Sequence, residues 1–126
     1  MWSSREQTLM RAAINAAEKS TEPNRHGAVT AKKGVLHSSG WNKNKTHPAA
    51  TVYYSNCIHA ELAAIIGVNK HDLVGMDIYV ARRMRSKGEP LGMSRPCKQC
   101  LKMIRTAGIK RIYYTNRQGD WQMERL

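Results

Sequence analysis

The sequence predicts a three-layer α/β/α fold, a β-sheet with helices on both faces, built as one domain over residues 1–126. Three observations carry that reading. The length of 126 residues fits one domain and falls short of two ordinary ones. The hydrophobic periodicity runs helix, hairpin, helix, strand, helix, strand, the alternation of a layered α/β architecture. No repeat, low-complexity tract or Gly/Ser/Pro-rich linker divides the chain.

The first helix is expected from Ser4 to Lys19. Ser3-x-x-Glu6 has capping-box spacing, and Leu9, Met10, Ala13, Ile14 and Ala17 follow at helical intervals. The loop around Pro23 ends it. Gly27 to Lys32 and Val35 to Gly40 are expected as two short strands across a turn at Lys33-Gly34. A polar loop covers Asn42 to Asn56. His59 to about Val68, rich in Ala, Leu and Ile, reads as the second helix. Met76 to Arg82 alternates as a strand, with Ile78, Val80 and Tyr79 divided between its two faces. Gly88, Pro90 and Gly92 mark a long basic loop. Pro96 opens a third helix through Ala107 and Gly108 stops it, the asymmetry expected of helix ends. Ile109 to Thr115 is the last clear strand.

Composition excludes several classes. No apolar run approaches the roughly 20 residues of a membrane span, so the chain is not read as an integral membrane protein. The start, Met1-Trp2-Ser3-Ser4-Arg5-Glu6, lacks the charged-then-apolar layout of a secretory signal. Three cysteines, two of them as Cys97-x-x-Cys100, point to metal or redox chemistry in a reducing cytoplasm, not to a disulfide framework. Leu, Ile, Val and Phe together number only 21, a thin supply that Ala and Met supplement, so a metal staple is expected. Net charge is +12, and it is concentrated: Arg82 to Arg111 holds ten Lys/Arg and one acid, Glu89. Such a block attracts a polyanion or a phosphate-bearing ligand, or simply solvates a surface.

Two short pieces carry the chemistry, His59-Ala60-Glu61 and Pro96-Cys97-Lys98-Gln99-Cys100. Each opens an expected helix. Cys97 and Cys100 are three residues apart, so their side chains share one helical face and can grip one ion. The positive end of a helix favours their thiolates. His59 can add an imidazole nitrogen. Three N and S donors leave one tetrahedral position for water, the layout of a catalytic zinc. Such a site lowers the pKa of water from 15.7 to about 7. Glu61, two residues past the histidine, need not bind metal and can carry a proton from water to a ring nitrogen and a departing amine.

His-x-Glu followed by Pro-Cys-x-x-Cys is the pattern of zinc nucleobase deaminases. Over roughly residues 25 to 115 the chain resembles the cytidine/deoxycytidylate deaminase superfamily, nearest its deoxycytidylate and tRNA-adenosine branches. His26-Gly27-Ala28-Val29 is similar to that family's first strand, and Pro96 through Tyr114 resembles its cysteine helix and following strand. Gly40-Trp41-Asn42 resembles a segment whose Asn bonds the nucleoside. The resemblance implies a central mixed sheet of about five strands and one Zn2+ held by His59, Cys97 and Cys100. It implies Glu61 as the catalytic proton shuttle, Asn42 on base or sugar, and the Ala60 backbone N–H on the ring carbonyl. Arg95, directly before Pro96, is expected at the site entrance, contacting substrate phosphate.

The implied reaction is hydrolytic loss of ammonia, water attacking C4 of cytosine or C6 of adenine. The reading adopted is cytosine to uracil in a nucleotide or a single-stranded nucleic acid, by a cytoplasmic enzyme able to form homo-oligomers. Its alternatives are a deaminase of free deoxycytidylate, an adenosine deaminase acting on RNA, and a non-catalytic zinc-stapled nucleic-acid-binding domain. Cys57 offers a rival ligand set: Cys57, His59, Cys97 and Cys100 would close the metal as a structural site and leave Glu61 without a role. His26, His37, His47 and His71 read as surface or loop residues, with His47 beside the metal helix. Trp41 reads as core, and Tyr53 and Tyr54 lie in a loop where bases could stack.

Overall fold

A computed structural model describes residues 2–43, 59–84, 91–116, 118 and 120–126. Its elements, in order, are α1 (Ser4–Glu18), β1 (Arg25–Lys32), β2 (Val35–Trp41), α2 (Ala60–Ile65), α3 (Lys70–Leu73), β3 (Asp77–Arg83), α4 (Lys98–Thr106), β4 (Arg111–Thr115) and β5 (Trp121–Arg125). The strands form one sheet in the order β2-β1-β3-β4-β5. Only the β3–β4 pair is parallel; the others are antiparallel, so the sheet is mixed.

Helices cover both faces, as expected. Leu9, Met10 and Ala13 of α1 pack against Val29, Ala31, Tyr79, Ala81 and Tyr113. On the other face, residues of α2 and α4 such as Leu62, Ala64, Leu101 and Ile104 pack against Ala28, Ile78, Val80 and Ile112. Burial on both sides explains why β1, β3 and β4 carry continuous buried runs instead of alternating polar positions.

Local signals fix the ends. The α1 capping box is made: Ser3 N donates to Glu6 Oε1 at 2.8 Å, and Glu6 N donates to Ser3 Oγ at 3.1 Å. Lys33 and Gly34 close the hairpin with positive φ at both positions, 52° and 78°, which matches the twist of the flanking strands. The second helix is shorter than expected. It ends at Ile65 because Ile66 turns extended, at φ −57° and ψ 128°. The third helix begins at Lys98, with Cys97 outside it as the N-cap.

Two elements were not located along the chain by the sequence reading, although the sheet has the five strands that the resemblance implied. The one-turn α3 is capped by Asn69, whose side chain accepts from His71 N at 2.9 Å. The fifth strand, β5, pairs along β4 from Arg111↔Arg125 to Thr115↔Trp121. Trp121 closes an aromatic group with Trp2 and Tyr113.

The layers touch most closely at two glycines. A Cβ on Gly27 would overlap the Ala13 carbonyl oxygen and the Ala17 amide nitrogen of α1. On the opposite face, a Cβ on Gly40 would meet Ala64 N at 2.5 Å. Backbone cannot swing aside as a flexible side chain can. Gly27→Ala is therefore expected to cost about 3 kcal/mol, lowering the melting temperature by roughly 10 °C. A thermal melt of the purified variant checks this.

Candidate functional site

Two helix starts on the same side of the sheet bring the site together. His59 caps α2 in extended conformation (φ −75°, ψ 154°), and Cys97 caps α4 likewise (φ −68°, ψ 170°). Cys100 lies one turn into α4, fully buried. The loop carrying Cys97 is stitched to the ends of β3 and β4 by Ser94. Its Oγ donates to Val80 O at 2.7 Å and accepts from Thr115 N at 2.7 Å, while Ser94 N donates to Thr115 O at 2.8 Å. That loop is thereby fixed relative to the sheet on which α2 also packs.

His59 Nδ1 stands 3.9 Å from Cys97 Sγ and 3.7 Å from Cys100 Sγ. All three donor atoms lie within 4.8 Å of one another. Tetrahedral zinc, with Zn–S about 2.3 Å and Zn–N about 2.0–2.1 Å, requires S···N near 3.6 Å and S···S near 3.8 Å. The two S···N separations are close to that geometry, and this donor set fits a zinc ion. Burial holds the His59 imidazole below the usual histidine range, in the neutral form that ligates.

Glu61 sits beside this group, 5% exposed. Burial pushes its carboxyl above the usual carboxylate range, while hydrogen bonds from its own backbone and from Cys100 pull the other way. A carboxyl whose protonated form is favoured in this way can hold a proton and return it.

These groups line one cavity of about 320 Å³ with Asn24, His26, Asn42, Ala60, Ser94 and Arg95. That size is at the small end of ligand pockets. Every site residue named from the sequence faces this cavity except Cys100, which holds its thiol behind the wall. Asn42 is oriented by the backbone before any ligand arrives: its Oδ1 accepts from His26 N at 3.0 Å and its Nδ2 donates to Asn24 O at 2.6 Å. This uses one acceptor site and one of two donors of the amide.

Asn24, His26 and Ser94 are the lining residues that sequence reasoning missed. For His26 a signal existed. Gly27 faces α1, so the period-two alternation of β1 turns His26 and Ala28 toward the site. Burial first, then Arg82, depresses its imidazole, which therefore presents a neutral ring to the cavity. Trp41 is half-buried, with the ammoniums of Lys43 and Lys19 over its ring at 4.6 and 5.2 Å, so it is less a core residue than expected. His47, Tyr53, Tyr54, Cys57 and the basic residues Arg85 and Lys87 lie outside the described residues.

Arg95 stands at the rim, held by Glu124 of β5 through two bonds of 2.7 and 3.2 Å. Glu124 also accepts from Tyr114 Oη at 2.7 Å. Arg95, then Tyr114, keeps the Glu124 carboxyl below its ordinary range. Because the folded value is depressed, this latch is present at neutral pH and is lost as acid titrates through that lowered value. Both partners are more than a third exposed, so the pair orients Arg95 and adds little stability.

Among the described residues, no helix is long and apolar enough to cross a membrane. The chain matches, over residues 3–116, the sequence family described as the cytidine and deoxycytidylate deaminase zinc-binding region. No curated protein matches it by sequence. Among solved structures, it is similar to dCMP deaminase from the cyanophage S-TIM5, with 23% identity and TM-score 0.64, covering 92% of this chain and 86% of that one. It is also similar to cytidine deaminase from Burkholderia pseudomallei, with 23% identity and TM-score 0.65, covering 94% and 91%. A third likeness is to the diaminohydroxyphosphoribosylaminopyrimidine deaminase/5-amino-6-(5-phosphoribosylamino)uracil reductase of Thermotoga maritima, with 28% identity and TM-score 0.54. There the match covers 87% of this chain but 29% of the longer protein.

Proposed function

The chain belongs to the cytidine/deoxycytidylate deaminase superfamily of zinc-dependent hydrolytic deaminases, and from that premise we propose that it converts cytosine to uracil in a phosphate-bearing nucleotide. One observation carries the reading: His59, Cys97 and Cys100 bring three donor atoms within 4.8 Å, and His59 and Cys97 line the cavity that also holds buried Glu61. The S-TIM5 dCMP deaminase, 22% identical, is known in complex with dCMP and dUMP, which supports a cytosine nucleotide. One domain, residues 1–126, performs the reaction. Cys97 and Cys100 ligate as thiolates, which a reducing compartment such as the cytoplasm maintains.

When bound, zinc supplies the Lewis acid that makes water a nucleophile near neutral pH. The chain's own residues do the rest. Glu61 accepts the proton of the attacking water and delivers it to N3 of the ring. It then takes the remaining hydroxyl proton to the amino nitrogen on C4. The C4–N bond breaks as the C4 carbonyl forms, ammonia leaves, and Glu61 is ready for another turnover. The Ala60 backbone N–H donates to the ring carbonyl, and the remaining Asn42 amide positions bond sugar or base. Arg95 meets the phosphate.

Zinc-loaded protein incubated with dCMP, CMP, cytidine and AMP should release ammonia fastest from a cytosine monophosphate. Release from AMP alone would overturn the choice of base. Arg95→Ala should raise KM for the monophosphate about tenfold, the worth of one charge-assisted contact, while leaving the kinetics on the nucleoside unchanged. A second reading, cytosine within a single strand, is favoured by the basic face of α4. Assembly into homo-oligomers belongs to the same proposal and is read from the elution volume of the zinc-loaded protein.

A further inference from the structure

We infer that the exposed face of α4 is a phosphate track for a single-stranded polynucleotide whose target cytosine occupies the catalytic cavity, an inference that rests on the deaminase reading. A second groove, about 500 Å³, runs along α4 and is lined by Arg95, Lys98, Leu101, Lys102, Arg105 and Thr106. Four of the six are cations and none is an acid. Lys98, Lys102 and Arg105 recur at i, i+4 and i+7, on one face of the helix. They cover about 10 Å of rise, more than one nucleotide at the roughly 3.4 Å per step of a stacked strand.

Of these four cations, Arg95 alone sits in an ion pair among the described residues, with Glu124, whose carboxylate also feels the charge of Arg105. Among the described residues the ion pairs are Arg83–Glu18, Arg95–Glu124 and Arg111–Asp77, and none involves Lys98, Lys102 or Arg105. All three side chains are exposed, while Leu101 and Ile104 turn inward and anchor the helix. The track is therefore presented on a rigid element.

Continuity identifies the partner. Arg95 lines both the catalytic cavity and the α4 groove, so one ligand can pass from one to the other without leaving the protein surface. A mononucleotide seated in the cavity has a phosphate for Arg95 and nothing to offer three cations further along α4. A lipid surface or an acidic protein would use the cations but leaves their junction with a nucleobase cavity unexplained. A single strand uses both: its target base enters the cavity, and its backbone follows the basic groove.

The test is fluorescence anisotropy of zinc-loaded protein with end-labelled 12-nucleotide strands holding one cytosine, as DNA and as RNA, between 50 and 200 mM salt. Wild type should bind at least one strand and convert its cytosine to uracil. The double variant Lys102→Gln/Arg105→Gln, at two positions that do not line the catalytic cavity, should bind at least tenfold more weakly at 100 mM salt. Its log K against log salt should lose about 1.4 of slope, from about 0.7 per single-strand phosphate contact given up. Its turnover of dCMP should stay within twofold of wild type.

Unchanged strand binding by the double variant would overturn the track. So would dCMP turnover by a wild type that binds neither strand. Equal displacement of the strand by inorganic polyphosphate, matched in phosphate concentration, would also overturn it by showing a polyanion site indifferent to nucleotides. Strand binding without ammonia release from any substrate would overturn the deaminase reading and leave the track standing.

Discussion

Glu61→Gln is expected to abolish turnover while leaving the metal in place, lowering kcat by about 10²–10⁴-fold, the usual contribution of a positioned acid–base group. The substitution keeps the shape of the side chain and can still form hydrogen bonds, so the cavity wall is preserved. What it removes is a group able to accept a proton at one atom and release it at another. The environment of Glu61 is suited to that role: burial raises its carboxyl above the ordinary range, and the Cys100 contact opposes the rise only in part. Ammonia release measures the loss, and metal analysis separates the two explanations of it. A variant that loses zinc together with activity would make Glu61 a structural support for the site. A variant that keeps both zinc and activity would remove Glu61 from the proton path.

The chemistry was more legible in the sequence than the architecture around it. His59, Glu61, Cys97 and Cys100 could be singled out because the two motifs restrict residue type and spacing together, and both stand at helix starts. Ser3-x-x-Glu6 located α1 for the same reason, since a capping box is a local hydrogen-bond pattern. The parts that escaped depend on distant partners. Strand β5, Trp-Gln-Met-Glu-Arg, has too little apolar content to declare itself and exists because β4 offers an edge for it. Ser94 looks like any loop serine until its bonds to Val80 and Thr115 show that it fixes the Cys97 loop. Arg95 lines the cavity, and its partner Glu124 sits on a strand that no local signal located along the chain. Cys97, expected inside its helix, instead caps it. The extended conformation there lets one cysteine precede the helix and the other lie a turn within it while both reach His59.

Cys100→Ala is expected to reduce bound zinc from one ion per chain to less than a tenth, with ammonia release lost in proportion. Cys100 is fully buried among the α2, α4 and sheet residues, so its thiol would join a bound metal to the core. The consequence for stability follows from linkage. With free zinc a thousandfold above its Kd, binding to the folded state alone contributes about 4 kcal/mol, equivalent to roughly 10–20 °C in melting temperature for a small domain. The core gives reason to expect the full effect. Its largest wholly buried side chains are Met10, Met76, Ile78, Ile104 and Ile112, there is no phenylalanine, and alanines fill much of the space between helices and sheet. Stripping wild type with a chelator should therefore bring its melting temperature to within a few degrees of the Cys100→Ala variant, and the variant should not respond to chelator. If wild type melts unchanged after metal removal is confirmed, the sheet and the Ser94 stitch alone align His59 with Cys97 and Cys100, and the zinc serves chemistry without stapling the fold.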